Sequence, residues 1–247
     1  MSLTVLCAAG AALGNVAGGA LIVTKFRRRE KLLTQLVAFG GGFMLAAALL
    51  KMVPASMALS ANHAPAMFLI GYFATHFFEH VLGEHIHLGD DPHDPHCGHC
   101  AHDDLGALTV VGLCVHALFD GVAIASGFAV SASLGVLMFV AVLLHKIPEG
   151  STVASVVLQA GHSGTAAMAA SLTLAAATLI GSLAMAFAPP TLIPYGLPFA
   201  TGVTIHVAAS DLIPEVNELR GVRMALVVIA GAVTFWVTEV ALGRFGL

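Results

Sequence analysis

The chain has 247 residues, 58% of them hydrophobic and 10% charged, with a formal net charge of −4 and a mean hydropathy of +0.92. A soluble domain carries about a quarter of its residues charged, so this chain has too little charge to coat a water-soluble globule. Its composition selects an integral membrane protein whose main partner is the lipid bilayer, and no nucleic-acid partner is expected.

Apolar runs fall at about 3–24, 33–54, 65–83, 107–129, 133–159, 165–188, 196–215 and 222–243. Each is close to the roughly 20 residues needed to cross about 30 Å of hydrocarbon. The bilayer core cannot satisfy an open sheet edge, so every span should be helical. The expectation is an all-α fold of eight transmembrane helices in a single transmembrane domain, 1–247. The first run lacks a basic stretch before it, so it reads as a retained helix rather than a cleaved leader.

Lys25, Arg27, Arg28, Arg29 and Lys31 follow the first span, and Arg220 and Arg223 follow the seventh. Basic loops stay in the cytoplasm, so the odd-numbered loops face inward and both termini face the outside or periplasm. In the second span, Lys51 sits near the outer end, where its stem can snorkel to the interface. After the third span runs GEHIHLGDDPHDPHCGHCAHDD, within an expected cytoplasmic loop at 84–106. It holds His85, His87, His93, His96, Cys97, His99, Cys100 and His102, and the helix before it adds His76, Glu79 and His80. Imidazole and thiolate suit zinc and its neighbours. A single CxxC without a second pair is not a zinc-finger frame. The loop therefore reads as a weak, multi-site metal collector, with a plain polar connector as the alternative. Cys7 and Cys114 read as small apolar residues within helices.

The fourth span contains HALFDG, with His116 and Asp120, and the fifth contains HKIPEG, with His145, Lys146 and Glu149. An ionisable residue inside a membrane helix is costly and marks function by default. In both motifs a histidine and a carboxylate stand four apart, on one helical face. Two such faces offer two imidazoles and two carboxylates, a complete ligand set for a borderline divalent metal. Pro148 frees the carbonyl of Leu144, which membrane proteins tolerate where backbone lines a cavity. In the seventh span, His206 and Ser210 are expected on one face and Asp211 and Glu215 on another. They form either a release path for metal or a solvated helix end. Glu239 is expected near the outer interface.

Together these motifs resemble the ZIP (Zrt/Irt-like) family of divalent-metal transporters, of the prokaryotic type. The resemblance rests on HALFDG, HKIPEG, the His-rich third loop and GVTIHVAASDLIPE at 202–215. It implies a ZIP fold of eight helices with internally related repeats, with metal held between the fourth and fifth. His116, Asp120, His145 and Glu149 match the family's ligands, and Met44 is the candidate ligand from the second helix. Two departures matter. Many relatives hold two metals, using an Asn after the fourth-helix His and an acid after the fifth; here those positions are Ala117 and Lys146. An ammonium about 4 Å from a divalent ion is repelled by roughly 8 kcal/mol at an effective dielectric near 20. Lys146 thus replaces a second-site ligand and is expected to neutralise Asp120 or Glu149, the alternative being a lysine facing a watery pathway.

The implied function is movement of Zn²⁺, and of Cd²⁺, Fe²⁺ or Mn²⁺, into the cytoplasm by alternating access through a mononuclear site. The implied location is the plasma (bacterial inner) membrane, and a homodimer is an allowed assembly. The chain is not expected to be an enzyme: no phosphate-binding GxxxxGK[ST] occurs, and an intramembrane metalloprotease would need HExxH, which is absent. A metal sensor or structural protein without flux is the other class.

Overall fold

A computed structural model describes residues 2–24, 30–82, 102–214 and 222–244, and among them every regular element is helical. Helix α1 is Ser2–Val23. Helix α2, Glu30–Ala47, runs through a π-helical turn, Ala48–Met52, into α3, Val53–Leu59. Then come α4, Ala64–Leu82, α5, His102–Val130, α6, Ala132–Gln159, and α7, Gly164–Ala186. Helix α8, Ile193–His206, enters a second π-helical turn, Val207–Leu212, and α9 is Val222–Arg244.

Seven of these helical stretches are long and apolar enough to cross a membrane, while the apolar part of α4, Ala64–Phe78, is shorter. Large apolar side chains point outward all round: Leu6, Leu13, Phe73, Phe77, Ile180, Phe187 and Trp236 are each more than half exposed. Such surface faces lipid in a multi-pass membrane protein, and α9 shows it most, with 11% of its apolar window buried.

The structure shifts two expected boundaries. The second span continues past 54 to Leu59, because a π turn and Pro54 at the start of α3 are absorbed into one continuous rod. The fourth begins at His102, not 107, so His102 opens α5 instead of ending the loop. His85, His87, His93, His96, Cys97, His99, Cys100 and Glu215 lie outside the described residues, as does most of the basic first loop.

Pairs of glycines weld the helices together. A Cβ on Gly18 of α1 would run into the carbonyl oxygen of Ile147, and one on Gly150 of α6 into that of Asn15. Gly121 and Gly181 join α5 to α7 in the same reciprocal way, through the carbonyls of Thr178 and Leu118. Two further reciprocal pairs, Gly42 with Gly231 and Gly71 with Gly202, join α2 to α9 and α4 to α8. Small residues at such crossings let backbones approach where no hydrophobic effect drives helices together. Every one of these welds lies either within the group α1, α5, α6 and α7 or within the group α2, α4, α8 and α9.

Lys51 does not simply snorkel. Its Nζ lies 3.3 Å from Glu239 Oε1 on α9, with both side chains partly exposed. Far apart in the chain, the two meet because α2 and α9 pack side by side.

Candidate metal centre

Helices α5 and α6 are separated by one residue, Ser131, whose backbone is extended (φ −160°) and whose hydroxyl accepts the amide N–H of Leu134 at 3.1 Å. This N-cap satisfies an otherwise orphaned donor and forces the two helices to run antiparallel. His116 lies 15 residues before the cap and His145 lies 14 after it, so at 1.5 Å per residue both stand about 21–22 Å from the turn. His145 is the fourteenth of the 28 residues of α6, which places the pair at mid-helix.

There the two motifs meet. His116, Asp120, His145 and Glu149 are all buried and each offers one ligand atom, these atoms lying within 4.8 Å of one another. Asp120 Oδ2 is the hub: His116 Nε2 and His145 Nε2 each approach it at 3.2 Å, and Lys146 Nζ at 2.7 Å. The two imidazole rings stand edge to face, 5.7 Å between centroids. His145 Nδ1 lies 3.2 Å from the carbonyl oxygen of Ala141. A carbonyl only accepts, so Nδ1 carries a hydrogen there and Nε2 is the ring atom turned to the site.

Lys146 is fully buried and bridges both carboxylates, its Nζ also lying 2.5 Å from Glu149 Oε2. The ammonium thus pairs with Asp120 and Glu149 together, not with one of them. Glu149 Oε1 is buried and has no hydrogen-bond partner among the described residues, so one carboxylate oxygen retains free electron pairs.

Sequence reasoning overlooked Asn15 of α1, which is fully buried. With its amide NH₂ turned toward the site, it donates to Glu149 Oε2 at 3.2 Å and to the Lys146 carbonyl at 2.7 Å. The signal was present: a lone amide deep in an apolar span needs a partner. The neighbouring glycines bring it there, for a Cβ on Gly14 would stand only 2.9 Å from Lys146 Cβ. Met44 lies in α2, buried in the apolar cluster that also holds Met138 and Ala141.

A second polar cluster joins α4 to the end of α8. His206 is buried, its Nε2 lies 3.5 Å from His76 Nδ1, and its Nδ1 lies 3.5 Å from Asp211 Oδ2. Tyr72 stacks edge to face on His206 and its hydroxyl hydrogen-bonds Ser210 Oγ at 2.9 Å. Tyr72 thus reaches both His206 and Ser210 from α4, as their expected shared face requires. The π-helical turn winds wider than an α-helix and also brings Asp211 to His206.

A helical bundle with membrane-spanning helices and two imidazoles and two carboxylates converging at mid-helix defines a multi-pass membrane protein with a buried cluster that could hold a metal ion. The profile of the ZIP zinc transporter family matches residues 87–239, and the chain belongs to that family. Among curated proteins it resembles zinc transporter zipt-7.2 of Caenorhabditis elegans, 30% identical over 110 residues covering 42% of this chain and 24% of that protein. Zinc transporter ZIP13 of Pongo abelii is 29% identical over 140 residues, 52% of this chain and 42% of the relative. Zinc transporter ZIP9-B of Xenopus laevis is 29% identical over 163 residues, 61% and 52% respectively. The chain spans about a quarter to a half of the length of these relatives.

Proposed function

We propose that this protein is a transporter, not an enzyme, that carries a divalent transition metal, Zn²⁺ first, across the membrane into the cytoplasm. The observation that carries this reading is the convergence of His116, Asp120, His145 and Glu149 within 4.8 Å, buried at the middle of two antiparallel spans. Two nitrogens and two carboxylate oxygens suit tetrahedral zinc, and the same set accepts Cd²⁺ and Fe²⁺, with Mn²⁺ less favoured. The metal is bound by Nε2 of each histidine and by oxygens of Asp120 and Glu149, with Met44 of the second span as the candidate further ligand. Imidazoles must be neutral to ligate, so binding weakens as pH falls. Lys146 leaves the site mononuclear, because its ammonium stands where a second ion would be repelled.

Transport proceeds by alternating access: the site is shut from both sides and opens to each in turn. His206, Asp211 and Glu215 form the release path, with His76 beside His206, and the His-rich loop at 84–106 collects metal weakly on the cytoplasmic side. Helix α4, 19 residues and about 28 Å long, is the eighth span. Internal repetition is supported by the two π turns. AALLKMVP and VAASDLIP each place a charged residue, Lys51 or Asp211, three positions before a proline that follows the turn. The basic loops support termini outside; we further take the protein as a prokaryotic-type member in the plasma (bacterial inner) membrane, with a homodimer allowed. Uptake of radioactive zinc into proteoliposomes tests the reading. Saturable flux that vanishes in Asp120→Ala is expected; zinc binding at the four ligands with no flux above protein-free vesicles would contradict it.

A further inference from the structure

Lys146 Nζ lies 2.7 Å from Asp120 Oδ2 and 2.5 Å from Glu149 Oε2. A metal ligated by the two histidines and two carboxylates claims those same carboxylates. Ammonium and cargo therefore compete, and only the cargo can leave. Alternating access takes the site through a shut arrangement twice per cycle, once with cargo and once without. On the second passage two carboxylates remain in a low-dielectric interior, where an uncompensated charge is costly.

We propose that Lys146 is a tethered counter-ion for the return of the unloaded carrier: its ammonium takes up Asp120 and Glu149 as the metal departs, so that reorientation needs no second metal. This rests on the transport reading above. With both imidazoles neutral, Asp120, Glu149 and Lys146 carry one net negative charge, and a bound divalent ion converts it to one net positive. Without the lysine the two values are two negative and zero. The Born cost of burying charge grows with its square, so the lysine lowers the cost of the worse passage to about one quarter.

The geometry suits a tether. Lys146 and Glu149 are three apart on α6, so the ammonium reaches one carboxylate within its own helix and the other on α5. Its backbone is held from α1, by the Asn15 amide on its carbonyl and by the close approach of Gly14 to its Cβ. All the parts lie on α1, α5 and α6; α1 is welded to α6 and α5 to α7, and a Cβ on Gly19 of α1 would run into Ser171 of α7, so the tether moves with the site whichever group of helices shifts.

The test compares two zinc fluxes in proteoliposomes: net uptake into vesicles without internal zinc, and exchange into vesicles preloaded with unlabelled zinc. In the wild type, internal zinc accelerates labelled uptake by less than about threefold, since the unloaded return is already easy. In Lys146→Gln the ratio of exchange to net uptake rises by about tenfold or more, because net uptake needs the unloaded passage and exchange does not. Lys146→Arg, which keeps the cation, restores the wild-type ratio of the two fluxes. A wild type strongly accelerated by internal zinc overturns the proposal, and this needs no variant to fold. So does a Lys146→Gln protein that still binds zinc yet keeps the wild-type flux ratio. Absence of both fluxes in the wild type removes instead the transport reading itself.

Discussion

Two lysines, Lys146 and Lys51, stand within the apolar membrane spans, and their surroundings differ sharply. Lys146 is fully buried between two carboxylates at mid-helix, whereas Lys51 is a third exposed and meets a single partner, Glu239, at 3.3 Å. The first ion cluster is shielded from water and lipid headgroups, so its charges depend on one another. The second lies at the surface of the bundle, where each side chain is a quarter to a third exposed. The lesson is that the same residue type marks a mechanism in one place and an adjustable contact in the other, and burial together with the number of partners tells them apart.

The comparison is broken most severely at its hub. Asp120→Ala removes a metal ligand and leaves the Lys146 ammonium with one carboxylate, so zinc affinity should fall by at least about a hundredfold, more than loss of an outer hydrogen-bond partner costs. Isothermal titration of purified protein, with the His-rich loop signal subtracted using a loop-deleted control, measures it. Next in size, Lys146→Met should destabilise the fold by about 3–5 kcal/mol by stranding two buried carboxylates. Combining it with Glu149→Gln should recover part of that loss, which unfolding in detergent reads directly. Asn15→Ala should cost about 1–3 kcal/mol, the penalty of an unsatisfied buried acceptor. Because Asn15 orients Glu149 from outside the site, it should raise the KM for zinc more than it lowers the maximal rate. The smallest effect belongs to Lys51→Gln, within about 1 kcal/mol, as for other partly exposed ion pairs. A loss there as large as at Lys146 would dissolve the distinction.

Much of the site was legible because helical geometry is local. A histidine and an acid four apart share a face wherever an α-helix forms, and a one-residue turn at Ser131 then brings His116 and His145 to equal depth. Hydrophobic runs located seven spans, and the 65–83 run falls on helix α4, Ala64–Leu82. What escaped depended on distant packing or on departures from the α-helix. Lys51 finds Glu239 only because α2 and α9 lie together. His206 meets Asp211 as well as the Tyr72 that binds Ser210, because a π turn widens the helical face. Asn15 was overlooked because its partners lie on another helix, brought near by glycines whose role shows only in the packed bundle.

The central claim is one divalent metal among His116, Asp120, His145 and Glu149, with Lys146 in place of a second. Anomalous diffraction at the zinc edge from zinc-soaked crystals tests it most directly, because it locates each ion and separates this site from the loop. The account predicts a single zinc peak at mid-membrane bonded to both histidines. A second zinc beside Lys146, or no peak between α5 and α6, would contradict it.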